Sequence, residues 1–154
     1  MNMLLQTREL CKTFKRQQAV KNVSLSVPEH AVYGLLGPNG AGKSTTLKML
    51  TGMLRPTSGE ILFQGRPWTR GDLLQIGALI ESPPLYDNLT ARENLQVRAR
   101  LLGLPDSRID EVLQIVDLTH TGRKRAGQFS MGMKQRLGIA LALLHRPKLL
   151  ILDE

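Results

Sequence analysis

The feature that most constrains this chain is a glycine-rich stretch, residues 37–45, between an apolar run and a helix-forming segment. The apolar run, residues 31–36, predicts a buried parallel strand, and the segment after the glycines continues as a helix. The stretch fits G-x-x-x-x-G-K-[ST], in which glycines without a Cβ let the backbone aim N–H groups at phosphate oxygens. The helix N-terminus adds about half a positive charge. A glycine turn that binds nothing would not need the lysine and hydroxyl that follow it, so we predict a nucleotide-binding P-loop.

The side chains of this P-loop have separate predicted roles. Lys43 is expected to reach the β- and γ-phosphates of a nucleotide, and the Ser44 hydroxyl to bind Mg²⁺. The predicted nucleotide contacts are Gly37, Pro38, Asn39, Gly40, Ala41, Gly42, Lys43, Ser44 and Thr45.

Composition narrows the class of partner. The 154 residues carry a formal net charge of +8, but the basic residues are scattered and aromatic residues make up only 4% of the chain. Base-stacking platforms need aromatic side chains, so we expect a solvated basic face and no nucleic-acid partner. The N-terminus lacks the layout of a signal peptide, no apolar run has the length of a membrane span, and Cys11 is the only cysteine. These features indicate the cytoplasm.

The order of predicted elements divides the single domain, residues 1–154, into three parts. Residues 1–80 are rich in strands and include the P-loop, residues 81–145 form a helical insertion, and residues 146–154 return to the core sheet. Thr90 and Glu93 have the spacing of a helix capping box. The predicted strands are 3–10, 22–27, 60–64, 76–80 and 148–153, and a hairpin turn is predicted over 12–18. Three helices are predicted: the first over 91–102, the second capped by Asp106 or Ser107 and ending near Val116, and the third over 130–144.

The last strand ends in two carboxylates, Asp153 and Glu154. An apolar strand followed by such a pair is the Walker B pattern, in which Asp153 orders Mg²⁺ and Glu154 polarises the attacking water as general base. A buried strand that merely ends in polar residues is the alternative. The P-loop upstream favours the catalytic interpretation.

A third motif begins at Phe129, where Ser130 and Gly132 start a helix whose N–H groups can face a phosphate. A plain serine cap on an amphipathic helix is the alternative. In the order P-loop, serine-glycine helix start and acidic strand, the whole chain resembles the ATPase subunit of ABC transporters. That family usually starts this helix with Leu-Ser-Gly-Gly-Gln, so Phe129, Met131 and Met133 depart from its pattern.

The resemblance implies an α/β fold, a RecA-like P-loop NTPase core with antiparallel strands at the N-terminus, an inserted helical subdomain and the C-terminal part of the core missing. It implies ATP and Mg²⁺ as ligands. Phe14 matches the aromatic residue that stacks on adenine, although a core or turn aromatic is the alternative, and Val20 matches an apolar contact to the base. The histidine that senses the γ-phosphate in the family would lie beyond Glu154. His145 lies at a predicted helix end, a favourable place for a cation, and is interpreted as a structural residue.

Glu81 stands where most members of the family have glutamine. The resemblance gives Glu81 contact with Mg²⁺ and the catalytic water, and makes residues 81–88, here called the contact loop, the segment that touches the membrane subunits. A carboxylate adds negative charge at the metal that an amide does not. Residues 81–90 look like the same segment in ATPases of lantibiotic self-protection exporters.

We therefore expect an ABC-type ATPase that exports a peptide antibiotic or related compound. Its implied partners are a head-to-tail ATPase dimer, in which Ser130 and Gly132 contact the ATP of the other subunit, and transmembrane permease subunits. This would place it in the cytoplasm, peripheral at the inner face of the membrane. The alternatives are a truncated, non-catalytic nucleotide-binding fragment and a soluble ABC ATPase that does not serve transport.

Overall fold

The computed structural model describes residues 1–153, which form two compact units, one covering Met1–Leu73 and the other beginning at Leu74. Each unit is described separately. No helix within residues 1–153 is both long enough and apolar enough to cross a membrane.

The first unit is an antiparallel sheet with one helix. Its sheet has the order β2-β1-β4-β5, with β3 also paired to β1. Apolar residues buried on the sheet and the helix, among them Leu10, Met49 and Phe63, form its core. The elements are β1 (Met3–Phe14), β2 (Gln17–Val23), β3 (Ser26–Pro28), α1 (Lys43–Leu50), β4 (Ser58–Phe63) and β5 (Arg66–Pro67), followed by a 3₁₀ helix over Arg70–Gln75.

Two predictions for the first unit are wrong. The hairpin turn is shorter than 12–18, because Thr13 pairs with Gln18 and Phe14 with Gln17, so polar residues continue both strands. The apolar run 31–36 is not a buried strand: Val32 and Leu36 are almost fully exposed. A strand exists through hydrogen bonds to a neighbouring strand, and none of the strands described within residues 1–153 pairs with this run.

The second unit is a parallel strand pair with three helices. Strands β6 and β7 pair in register from Ile76 opposite Leu149 to Leu79 opposite Leu152. Fully buried residues such as Leu95, Ile109 and Leu137 join the helices in one apolar cluster. The elements are β6 (Ile76–Leu79), α2 (Ala91–Leu102), α3 (Asp106–Ile115), a 3₁₀ helix over Ala126–Gln128, α4 (Met131–Leu143) and β7 (Leu149–Leu152).

The unit boundary follows Leu73, so β6 groups with the helices and β7 rather than with the N-terminal strands. The three-part division at residues 80 and 145 stays a prediction. Strand β7 is buried on one face: Ile151 is buried, but Leu150 and Leu152 are 36% and 48% exposed. Within this unit only the face that carries Ile151 is covered by packed residues.

The helix ends are set largely by local sequence. The predicted capping box is confirmed, since the Glu93 N–H donates to Thr90 Oγ1 and the Thr90 N–H donates to Glu93 Oε1. The bond that the Glu93 carboxylate accepts from the Thr90 N–H is the main cause that holds the pKa of Glu93 below its ordinary value. The cap of α3 is Pro105, not Asp106 or Ser107, because Pro105 has the extended backbone of a cap and Asp106 is already helical.

The surroundings of His145, which follows α4, disfavour a cation. The Nε2–H of His145 donates to the Ile76 carbonyl over 2.9 Å, and its Nδ1 is buried with no hydrogen-bond partner among the described residues. Burial lowers the pKa of His145, and the positive charges of Arg98 and Arg108 lower it further. Desolvation therefore outweighs the favourable helix-end position.

Candidate nucleotide-binding site

The P-loop is an exposed turn that leads directly into α1. Its chain reverses at Gly40 and Gly42, whose φ angles are 82° and 90°, a region that side chains with a Cβ rarely adopt. The Ala41 N–H donates to the Pro38 carbonyl over 3.1 Å. Because α1 begins at Lys43, the first-turn N–H groups of the helix, which have no carbonyl partner within it, lie beside the exposed loop. This geometry fits a phosphate group.

Gly42 lies against strand β2. A Cβ added at Gly42 would be 2.4 Å from the Ala19 carbonyl oxygen and 3.2 Å from Val20 Cγ2, so no other residue fits without moving the loop from the sheet. Val20 is 2% exposed, and its proposed contact with the base stays a prediction. Phe14 is 44% exposed with Lys12 Nζ 5.2 Å from its ring centre. Its ring is thus accessible, and stacking on adenine also stays a prediction.

Lys43 turns back over its own loop. Its ammonium group donates to the Gly37 carbonyl and, over 3.0 Å, to the Pro38 carbonyl. These carbonyls are polar groups that phosphate oxygens could replace as acceptors. The Lys43 ammonium group therefore lies at the loop, where it could bind a phosphate.

Thr46 was missed by sequence reasoning. It is 3% exposed, and its Oγ1 donates to the Gly42 carbonyl over 2.8 Å while its N–H donates to the same oxygen. Two bonds on one carbonyl fix the junction between loop and helix. A threonine inside a helix can donate to the carbonyl four residues earlier, so the spacing from Gly42 to Thr46 could have predicted this bond from the sequence.

The carboxylates of the second unit lie at one edge of the β6–β7 pair. Asp153 follows β7, and its N–H donates to the Leu79 carbonyl over 3.0 Å. Glu81 follows β6 by two residues, so parallel pairing brings both to the same strand ends. Glu81 is exposed with φ 64°, a strain of about 1–3 kcal/mol that persists where surrounding structure imposes it. Glu154 lies outside the described residues.

Ser130 caps α4, and its Oγ accepts from the Met133 N–H over 3.2 Å. The simple capping role is therefore real, although the hydroxyl proton is still a donor. Gly132 differs, because a Cβ there would meet no heavy atom of residues 1–153 within 4 Å. Nothing described in this chain requires glycine at that position, which lies beside the exposed Met131.

The Mg²⁺ site, whose predicted ligands belong to two different units, stays a prediction. Within residues 1–153 there is no group of three or more histidine, cysteine or acidic side chains that could hold a metal alone. Mg²⁺ needs only one or two carboxylates when phosphate oxygens and waters complete its six ligands. Ser44 and Asp153 are side chains of the required kind.

The fold and its motifs are those of a P-loop nucleotide-binding domain. More particularly, the chain belongs to the ABC transporter family, whose profile matches residues 20–154. The predicted family and its mixed α/β fold are therefore confirmed.

The chain is similar to curated and solved proteins over nearly its whole length. It is 49% identical over 151 residues to the lantibiotic transport ATP-binding protein SrtF of Streptococcus pyogenes, covering 98% of this chain and 66% of the relative. It is 48% identical over 158 residues to the bacitracin transport ATP-binding protein BcrA of Bacillus licheniformis, covering 100% and 52%. The solved structure of cbiO1 from Clostridium perfringens, part of the ABC transporter complex cbiONQ, superposes with a TM-score of 0.87 at 30% identity, covering 100% of this chain and 66% of that structure.

The chain thus spans between about half and two thirds of the length of these curated relatives.

Proposed function

We propose that this chain is the ATP-binding part of an ABC exporter that removes a lantibiotic or a related peptide antibiotic. The observation that carries nucleotide binding is the P-loop, held against β2 at Gly42 and continued by the N-terminus of α1. Two relatives about half identical to the chain are named for lantibiotic and bacitracin transport, which supports the substrate class.

In this proposal Lys43 exchanges the loop carbonyls for the β- and γ-phosphates, and the N–H groups of the loop hold the same phosphates. Bound Mg²⁺ would neutralise phosphate charge, held by Ser44 and Asp153. Glu154 would accept a proton from the attacking water, and Glu81 would orient that water from the adjoining strand end.

The remaining contacts would come from outside the chain. Ser130 and Gly132 would face the ATP of a second ATPase subunit, and the open space at Gly132 would admit it closely. The contact loop would meet a membrane permease, which would place the protein at the inner face of the membrane.

The first experiment compares ATP affinity in Lys43→Ala and Lys48→Ala. Both remove an ammonium group from α1, and Lys43 is the one predicted to bind phosphate, with its ammonium group on the Gly37 and Pro38 carbonyls. A hydrogen bond to a charged group contributes about 1.5–3 kcal/mol, so Lys43→Ala should weaken ATP about tenfold to hundredfold and Lys48→Ala should not. Circular dichroism checks that both variants fold. A folded Lys43→Ala that binds ATP like the wild type would refute nucleotide binding at this loop.

The second experiment tests the substrate class. The gene is expressed with its permease genes in a sensitive bacterium, and growth is measured against lantibiotics and bacitracin. Protection that disappears in Lys43→Ala supports antibiotic export. Intact ATP binding without protection against any peptide antibiotic would favour a soluble ABC ATPase or another transported substrate.

A further inference from the structure

The side chain of Asn94 holds the end of the contact loop. Asn94 lies in α2 and is 3% exposed. Its Oδ1 accepts from the Tyr86 N–H over 2.7 Å, and its Nδ2 is 3.1 Å from the Tyr86 carbonyl, 3.3 Å from the Leu89 carbonyl and 2.9 Å from the Thr90 carbonyl. The Tyr86 N–H can only donate, which fixes the orientation of the amide. One side chain therefore closes this segment onto the helix.

The same segment also holds the chain before α4. The Leu89 carbonyl that accepts from Asn94 also accepts from the Ala126 N–H over 2.8 Å, and the Asp87 carbonyl accepts from the Gly127 N–H over 2.9 Å. We call Asn94, Ala126 and Gly127 the loop clamp. The loop clamp thus bonds the segment to α2 through Asn94 and to the chain before α4 through Ala126 and Gly127.

Gly127 allows this close approach. A Cβ added there would lie 3.0 Å from the Asp87 carbonyl oxygen and 3.2 Å from Asp87 Cβ. The φ angle of Gly127 is not positive, so closeness to Asp87, not backbone conformation, is the reason for glycine at this position.

Two residues, Gln128 and Phe129, separate the loop clamp from Ser130, and they are ordered by packing and hydrogen bonds. The Phe129 N–H donates to the Ala126 carbonyl over 3.0 Å, and Phe129 is 6% exposed in the apolar cluster of the helices. Ser130 then caps α4. Movement of the loop at Asp87 or Leu89 would therefore be passed to Ser130 through bonded groups.

We propose that Asn94 is a positioning residue, which makes the contact loop and the start of α4 move as one body. The role of that movement in transport rests on the proposed function, in which a permease contacts the loop and Ser130 contacts a nucleotide. The linkage itself is a property of this chain, and its test needs neither nucleotide nor permease.

The test is residue-resolved hydrogen exchange in wild type, Asn94→Asp and Asn88→Asp. Asn94→Asp keeps the size and the acceptor for Tyr86 but turns a carboxylate oxygen toward three carbonyls, whereas Asn88 is exposed in the same loop and matches the change in charge. In Asn94→Asp the amides of Ala126, Gly127 and Met133 should exchange about three- to tenfold faster, the loss expected for a hydrogen bond. The Leu118 amide, bonded to the Leu113 carbonyl outside the loop clamp, should keep its rate.

Two outcomes overturn the proposal. Unchanged exchange at Met133 would show that Asn94 does not position Ser130. Equal acceleration at Leu118 would show that Asn94 only stabilises the whole unit. Asn88→Asp should leave all four amides as in wild type.

A cross-link keeps the proposal falsifiable if Asn94→Asp does not fold. The added Cβ at Gly127 is 3.2 Å from Asp87 Cβ, close to the separation of about 3.5–4.5 Å in disulfides, so Asp87→Cys with Gly127→Cys can close a bond. Each single variant, with Cys11 retained, is the control. The Met133 amide of the oxidised double variant should exchange at the same rate as in its reduced form, because the joined segments already move together. Slower exchange at Met133 on oxidation that a reductant reverses would show that the segments separate without the cross-link, and would overturn the proposal.

Discussion

Asp153 donates its backbone N–H to the carbonyl oxygen of Leu79 over 3.0 Å. This bond extends the β6–β7 pairing by one residue beyond Leu152. It places the residue that the sequence assigns to Mg²⁺ beside the strand end that continues into Glu81. In the proposed function, where Asp153 binds Mg²⁺, a change in charge at Glu81 should therefore affect the metal.

We expect Glu81→Gln to leave ATP affinity nearly unchanged and to alter ATP hydrolysis and transport. The substitution removes a negative charge where Mg²⁺ and the attacking water are proposed to lie, and it leaves the P-loop untouched. The measurements are equilibrium ATP binding, and phosphate release and antibiotic protection in the assembled transporter. Glu60→Gln, an exposed carboxylate paired with Arg8 in the antiparallel sheet, is the matched control. Equal turnover and protection in wild type and Glu81→Gln would mean that Glu81 is only a loop residue.

Gly42→Ala should destabilise the chain more than Gly40→Ala. Both glycines have positive φ angles, which costs roughly 1–2 kcal/mol for a residue with a Cβ. At Gly42 the new Cβ would also meet the Ala19 carbonyl at 2.4 Å, whereas at Gly40 no heavy atom of the described residues lies within 4 Å. Urea unfolding measures both losses, and Gly42→Ala should exceed Gly40→Ala by about 1 kcal/mol or more. Equal losses would show that backbone strain alone makes glycine necessary at Gly42.

Features set by neighbouring residues could be predicted from the sequence. The capping box at Thr90 and Glu93 needs only residues three positions apart, and Gly103 ends α2 in the left-handed conformation for the same local reason. The P-loop turn and the start of α1 also follow from a short stretch. The order of the P-loop, the serine-glycine helix start and the acidic strand end was enough to predict the family.

Features set by distant residues could not be predicted. An apolar run such as 31–36 predicts a strand, but pairing depends on which strands are available to it, and Val32 stays exposed. The four contacts of Asn94 are made to residues that lie four to eight positions before it in the chain. They exist because this segment folds back over the helix. An asparagine inside a helical pattern gives no indication of that fold.

His145 gives a pH dependence with a defined sign. Its pKa is lower than the ordinary value of 6.5, chiefly because the ring is buried, so the folded chain favours the neutral ring. Between the lowered and the ordinary pKa the unfolded chain binds more protons than the folded chain. The free energy of unfolding should therefore fall as the pH is lowered through about 6.5, and it should stop falling below the lowered pKa.

The test compares urea unfolding from pH 8 to pH 5 in wild type, His145→Gln and His120→Gln. Protonation at His145 would put a hydrogen on the buried Nδ1, which has no acceptor among the described residues, and would add a charge near Arg98 and Arg108. Glutamine can still donate to the Ile76 carbonyl but cannot titrate, so His145→Gln should lose the part of the slope that wild type shows near pH 6.5. His120 is exposed, and replacing it should leave the slope as it is. A slope that survives in His145→Gln would mean that another group, and not this buried ring, makes the fold sensitive to acid.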